Sequence, residues 1–142
     1  MYKTEAIITK VENFKENHLS ISVYSSEYGQ KSLVVFGGKS KKKNSTYVKG
    51  SLNNIEFDNN NVCLSSTSIN TFKWFLFSKY ELKAIDYFCF LINKLLFLAD
   101  QNSNVISYYL LLISKLNERS NYLPELLLLE LEILKASGYQ PD

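Results

Sequence analysis

The sequence predicts an α+β protein in which a small five-stranded β-barrel is followed by an α-helical domain. Two patterns lead to this prediction. Over the first 70 residues, apolar and polar side chains alternate with a period of two, which is typical of half-buried strands. From about residue 78 onward, apolar side chains recur at helical spacing instead. We place the barrel domain at 1–76 and the helical domain at 77–142.

Turn residues separate the predicted strands. In HLSISVYS, Leu19, Ile21 and Val23 share one face of the second strand. Gly29 follows, where a tight turn requires a positive φ, so the second and third strands form a hairpin. The first, third, fourth and fifth strands are predicted in TEAIITKV, KSLVVF, YVKGSLNNIEF and VCLSSTSIN. Five short strands with turns between them indicate a closed barrel, because closure removes exposed edges.

Helical signals begin at Ser78-Lys-Tyr-Glu81, which matches a capping box. The three helices are predicted at 79–99, 104–117 and 124–137. Gly138 is expected to end the third helix as a left-handed cap. Its leucines at 126–129, 131 and 134 are expected in the core. Because the run LLLL extends around more than one face, that helix is either buried on two sides or meets a partner.

Charge is distributed unevenly along the 142 residues. Residues 1–80 carry 11 lysines against six carboxylates, a net charge of +5, whereas residues 81–142 carry −3. A basic half attracts anions and an acidic half does not. The two halves are therefore expected to present different functional surfaces.

Several classes of function lack their sequence signatures. Two cysteines without CxxC spacing and a single histidine do not supply the four or so ligands of a zinc site, so no metal or cofactor is expected. No nucleophile elbow, HExxH or Walker loop occurs, so the protein is not expected to be an enzyme and no catalytic residue is assigned. Without a signal peptide or an apolar stretch of membrane-spanning length, we expect a cytoplasmic protein with no membrane association.

The segment GGKSKKKN, residues 37–44, holds the densest positive charge in the chain. Lysines that neutralise phosphates release counterions, so such a segment would bind a nucleic-acid backbone without reading its sequence. Lysine in place of arginine argues against bidentate reading of bases. The alternative is a solvated loop that keeps the protein soluble. The candidate nucleic-acid contacts are Lys39, Lys41, Lys42, Lys43 and Lys49, with Tyr47 as a candidate ring for stacking on bases.

The first 43 residues also resemble the N-terminal domain of the RecO family of bacterial DNA repair proteins. That family opens with T-E-A-I-V-L, passes through a strand to a T-x-E-x-G turn, and continues in a strand that ends in a basic segment like K-G-A-R. The corresponding stretches here are Thr4–Ile8, Leu19–Ser25, Ser26–Gly29 and Phe36–Lys39. At the other end, LELEILKASGYQPD resembles the family segment F-E-x-x-L-L-x-x-x-G-Y-x-P-D.

The sequence departs from the family pattern in two respects. Phe36 stands where the family has a basic residue before the glycine, and Lys39 stands where arginine is usual. Family members also continue into a cysteine-bearing zinc module and further helices, which are not found here. Part of the helical domain, with its surfaces for partner proteins, would then be missing.

The resemblance implies an OB-fold barrel followed by a helical domain. It also implies a mediator that binds single- and double-stranded DNA, anneals complementary strands and works with RecR and the single-strand-binding protein SSB to load a recombinase. Such a protein performs no chemical step. The alternative is a protein-interaction module that keeps the barrel and the helices but has little affinity for DNA.

Overall fold

The computed structural model describes residues 1–40, 46–69, 78–98, 100, 104–118 and 121–138. Five strands come first: β1 (Tyr2–Phe14), β2 (His18–Ser25), β3 (Gly29–Val35), β4 (Leu52–Phe57) and β5 (Cys63–Ser68). Three helices follow: α1 (Lys79–Leu95), α2 (Val105–Asn117) and α3 (Leu123–Ala136). The predicted order, strands and then helices, is confirmed. The predicted domain boundary at 76/77 lies outside the described residues.

The strands form one antiparallel sheet in the order β3-β2-β1-β4-β5. Its two edge strands meet at a single parallel bridge between Val34 and Val62, where the Val34 N–H donates to the Asn61 carbonyl at 3.0 Å. The barrel is therefore partly open rather than closed by a full ladder. A longer contact between β3 and β5 would gain little from apolar burial, because Cys63 is the only buried side chain of β5.

The strand β1 is shared between two neighbours and carries an irregularity in its middle. Up to Ile7 it pairs with β4, and from Ile7 onward it pairs with β2. The β1–β2 register shifts between Ile8 and Lys10, which is the position of a β-bulge. Bulges bend a strand and increase its twist, so this one lets β1 curve around the barrel.

Both faces of the barrel wall are buried near this irregularity. The barrel interior holds Ala6, Ile8, Leu19, Ile21, Val23, Leu33, Val35, Ile55 and Phe57 among its buried residues. This confirms the alternation predicted for the second strand. The outward-facing Ile7, Tyr24 and Leu52 belong instead to a second core, formed mainly by the three helices. The helices therefore pack directly on the outside of the barrel.

The capping box predicted at the start of α1 is present. The Ser78 side chain accepts a hydrogen bond from the Tyr80 N–H at 3.3 Å, and the Ser78 N–H donates to the Glu81 carboxylate at 3.1 Å. The helix ends at Leu95, four residues before the predicted end, because the chain beyond it pairs with the barrel. There the Phe97 carbonyl accepts from the Gln30 N–H at 3.0 Å.

The third helix only partly fulfils the prediction that its leucines fill the core. Leu129 and Ile133 are fully buried, but Leu127, Leu128 and Leu131 each keep about half of their surface exposed. The run of four leucines covers more of the helix circumference than its neighbours can bury. Gly138 follows the helix with a φ of 91°, as predicted for a left-handed cap. None of the described helices is long and apolar enough to span a membrane.

Asn93 connects α1 to the irregularity in β1. Its side-chain oxygen accepts hydrogen bonds from the Thr9 hydroxyl and the Gln30 amide, both at 2.7 Å, and its amide donates to the Thr9 carbonyl at 3.3 Å. A second polar contact lies under α2, where the buried Tyr109 hydroxyl donates to the Gly50 carbonyl at 2.6 Å. These contacts fix the position of the helices on the barrel, since each depends on direction and distance.

We expect Asn93→Ala to destabilise the protein by about 1–3 kcal/mol, because Thr9 and Gln30 lose a shared partner in a partly buried site. The free energy of unfolding in urea measures this loss. Lys94→Ala is the matched control, since the neighbouring side chain is exposed and should change the stability by less than about 0.5 kcal/mol. Equal stability of the two variants would show that Asn93 does not hold the helix in place.

Candidate nucleic-acid interface

The helices cover only part of the outer surface of the barrel. On the remaining part, the outward positions of β2 and β3 carry small or polar side chains, namely Ser20, Ser22, Ser32 and Val34. The same row of alternate positions continues to His18 at the start of β2 and to Phe36 just after β3. A partly exposed strip of small side chains, polar except for Val34, thus leads to a group of rings at one end of the barrel.

We call Phe14, Lys15, His18, Phe36 and Lys39 the tip cluster, because they surround the turn between β1 and β2. The rings of His18 and Phe36 meet edge to face, with centroids 5.0 Å apart and planes at 87°. The Gly37 N–H donates to His18 Nδ1 at 2.9 Å. Because Nδ1 is an acceptor, the proton of the neutral ring lies on Nε2. Phe36 is 53% exposed although its neighbours hold it in place.

Two cations belong to the tip cluster. The Lys15 ammonium lies 5.4 Å from the centroid of the Phe14 ring, within the range of a cation–π contact. The Lys39 ammonium donates to the carbonyls of Lys15 and Glu16, at 2.9 and 3.0 Å. Lys39 therefore ties the start of the basic segment to the β1–β2 turn, and its charge stays at the surface.

Gly38 allows the chain to pass close to the barrel before the basic segment continues. A Cβ atom at this position would lie 2.9 Å from Cγ and Cδ1 of Leu19, which is nearer than real Cβ contacts. Since Leu19 is buried in the barrel interior, it has little room to move. The glycine thus sets where the basic segment leaves the barrel.

The other predicted contacts have different positions. Lys41, Lys42 and Lys43 lie outside the described residues. Lys49 is on the side of the barrel that faces α1, where its ammonium pairs with the Asp86 carboxylate at 3.0 Å. Both side chains of that pair are largely exposed, so the pair adds little stability, but it offsets the charge of Lys49.

Tyr47 does not have the exposure that stacking on bases requires. Its ring is only 8% exposed and belongs to the core of the barrel, with the hydroxyl 3.7 Å from the Cys63 sulfur. Burial, together with the neighbouring Cys63, raises the pKa of Tyr47 above its usual value. Tyr47 therefore packs the barrel in this structure, and the candidate stacking role would require its ring to leave the core.

Sequence reasoning missed two rings of the tip cluster. Neither His18 nor Phe36 was predicted to contact DNA, yet both lie on the outer face. The alternation of side chains along the strands indicates this position. His18 falls on the same face of its strand as Ser20 and Ser22, and Phe36 on the same face as Ser32 and Val34. Among the described residues, no group of three His, Cys, Asp or Glu side chains could hold a metal ion.

Comparison with known protein families finds a match in the N-terminal part of the chain. Residues 1–66 match the family model of the recombination protein O N-terminal domain, which is an OB-fold domain. The match runs from the first residue into β5 and so includes the tip cluster. No curated protein matches the chain. The resemblance to the RecO N-terminal domain and the predicted OB-fold are thereby confirmed.

We expect Gly38→Ala to destabilise the barrel by about 1–3 kcal/mol, because the added methyl group presses on the buried Leu19. Thermal unfolding measures the loss. Leu19→Val removes volume at the contact, so the double variant should be more stable than the sum of the two single effects predicts. Strict additivity would show that the close approach of Gly38 to Leu19 does not limit the packing.

Proposed function

We propose that this chain, whose residues 1–66 match the recombination protein O N-terminal domain, is a recombination and repair mediator that binds DNA without sequence specificity. The proposal rests mainly on the place where the basic segment begins. It leaves the OB-fold at the tip cluster, beside the exposed rings of Phe14 and Phe36 and next to the partly exposed strip of small side chains on β2 and β3. OB-folds bind oligonucleotides on the face of strands 2 and 3 with the loops between strands 1 and 2 and between strands 4 and 5, and the tip cluster includes the β1–β2 turn.

Electrostatics supports the tip cluster as the place where phosphates bind. The ion pairs among the described residues engage Lys3, Lys10, Lys49 and Lys115, so no described carboxylate neutralises Lys15 or Lys39. In the sequence, Lys41, Lys42 and Lys43 follow Lys39 almost at once. A cluster of ammonium groups attracts the phosphates of any sequence, and the attraction weakens as salt rises.

The same chemistry supports binding to both single- and double-stranded DNA and annealing of complementary strands. Phosphates are common to both forms, and two strands approach one another more easily when lysines offset their charge. We propose that the chain works at chromosomal DNA with RecR and SSB to load a recombinase, as the family resemblance implies. It acts by binding, without a chemical step of its own, and cleavage of DNA in the presence of magnesium would contradict this.

A second candidate function, a protein-interaction module, is favoured by one observation. The exposed side chains of Leu127, Leu128 and Leu131 lie close together on α3, at positions i, i+1 and i+4. An apolar helix face of this kind is typical of a contact with another protein. A stable complex with RecR or SSB in the absence of any affinity for DNA would identify this function instead.

Replacing Lys41, Lys42 and Lys43 by alanine should weaken binding to every DNA sequence alike. For a single strand, the slope of log affinity against log salt should fall in magnitude by about 2, since each neutralised phosphate contributes about 0.7. Fluorescence anisotropy of a labelled oligonucleotide across a salt series gives both quantities. The matched control replaces Lys79, Lys83 and Lys94 of α1, which removes the same charge from another surface.

Equal losses in the two triple variants would mean that net charge alone attracts DNA. An unchanged slope in the Lys41, Lys42 and Lys43 variant would show that the basic segment does not contact phosphates. If the unmodified protein fails to bind DNA even at low salt, the mediator proposal is wrong.

A further inference from the structure

A small ring-lined pocket lies at the other end of β3 from the tip cluster, and the function proposed above does not use it. It has a volume of about 230 Å³. Its lining comes from the start of β1, the β2–β3 turn, the start of β3 and the turn after β4. Drug-sized ligands occupy pockets of roughly 300–1,000 Å³, so a pocket of this size suits a single small ring system.

Three rings form one wall of the pocket. Tyr2 stacks on Phe57 with centroids 5.1 Å apart and planes at 25°. The Tyr28 ring meets both of them edge on, at 5.6 Å from Tyr2 and 5.4 Å from Phe57. Phe57 is buried, whereas Tyr2 is 38% exposed. The buried ring thus supports a partly exposed ring in a fixed orientation, which is a surface suited to stacking.

Charges in the pocket are balanced. The lining residues include Lys31 and Asp58, one of each charge sign. The Asp58 side chain accepts hydrogen bonds from the N–H groups of Asn60 and Val62, at 2.9 and 3.0 Å, and so holds the turn after β4. A pocket with one cation and one anion has no strong preference for a phosphate or an acidic peptide. It favours an uncharged ligand.

Amide side chains supply polar groups at the pocket. Asn59 and Asn61 both line it, and each amide can donate and accept hydrogen bonds. Asn61 is anchored by its backbone, because its φ is 60° and its carbonyl accepts from Val34 of β3. An uncharged planar ligand with donors and acceptors along its edge matches this combination of rings and amides.

We propose that the pocket binds one unpaired nucleobase of a DNA single strand. This inference rests on the proposed function, since it assumes that DNA binds the barrel. Bases in a duplex are stacked and paired, so only a single strand can present one to the pocket. The pocket therefore makes the protein prefer single strands, while the basic segment holds phosphates of either form.

Spacing along β3 gives the inference a second consequence. Lys31 at the pocket and Phe36 in the tip cluster are five residues apart, which is about 17 Å along a strand. One DNA strand can reach both sites only if it is long enough, and binding at two linked sites raises the overall affinity. We expect affinity to rise steeply at one oligonucleotide length and to level off beyond it.

An oligonucleotide that carries a single 2-aminopurine tests the inference, because this base loses fluorescence when it stacks on a ring. With the unmodified chain, the probe should be quenched. Tyr2→Leu should remove the quenching and weaken single-strand binding by about 5- to 150-fold, the range for loss of one stacked base. Tyr2→Phe should retain both, since it keeps the ring. Duplex affinity should be the same in all three proteins.

The matched control is Tyr80→Leu, which replaces a tyrosine that is 75% exposed on α1 and should behave as the unmodified chain. Asn59→Ala provides a variant at an exposed position that leaves the ring contacts intact, and it should weaken single-strand binding several-fold without a change in thermal stability.

The outcomes separate this inference from the proposed function. Absence of DNA binding by the unmodified chain would overturn both. Normal DNA binding with equal affinities and equal quenching for Tyr2→Leu and Tyr80→Leu would overturn the pocket alone. Equal losses of single-strand and duplex binding in Tyr2→Leu and Asn59→Ala would also overturn it, because the variants would then act through the fold. Displacement of the quenched base by a short peptide with an aromatic end would assign the pocket to a protein partner instead.

Discussion

The arrangement of both halves of the molecule depends on the register shift in β1 between Ile8 and Lys10. A single strand must pair with β4 at one end and with β2 at the other, and the bulge supplies the bend that this sharing requires. It also places the Thr9 hydroxyl and carbonyl within reach of Asn93. Ile7 and Ile8 precede the bulge and point to opposite faces of β1. This strand therefore contributes both to the core of the barrel and to the core of the helices. The barrel and the helices are therefore built around the same short stretch of backbone.

Docking of the helices at this position divides the outer surface of the barrel into two parts. The part around Tyr24 and Leu52 is covered and contributes to stability. The part toward Phe36 stays partly exposed, and its small side chains leave room for an extended ligand. A rigid scaffold behind an open face is a general arrangement for binding sites, since the scaffold holds the side chains in place while the loops make contact. Under the proposed function, the helices therefore contribute to binding by supporting the barrel, even where they do not touch the ligand.

The lysines of the barrel have the same charge but different neighbours. Lys49 and Lys39 lie ten residues apart in the sequence, and their surroundings differ. A carboxylate of α1 pairs with Lys49, whereas carbonyls of the β1–β2 turn accept from Lys39, and no carboxylate among the described residues pairs with it. The ammonium of Lys39 therefore has two effects, since it fixes the turn and adds to the positive potential there. Under the proposed function, the lysines that attract DNA are those that the fold keeps away from the described carboxylates.

The sequence by itself determined the order of strands and helices, the inward face of β2, the capping box at Ser78 and the positive φ at Gly29 and Gly138. These features depend on residues close together in the chain, so local patterns are sufficient to predict them. Only the tertiary structure decided the burial of Tyr47, the pairing of Lys49 with Asp86, the early end of α1 and the exposure of Leu127, Leu128 and Leu131. Each of these depends on a neighbour far away in the sequence. A pattern that repeats every two or four residues shows which face of an element is apolar, but not which other element covers that face.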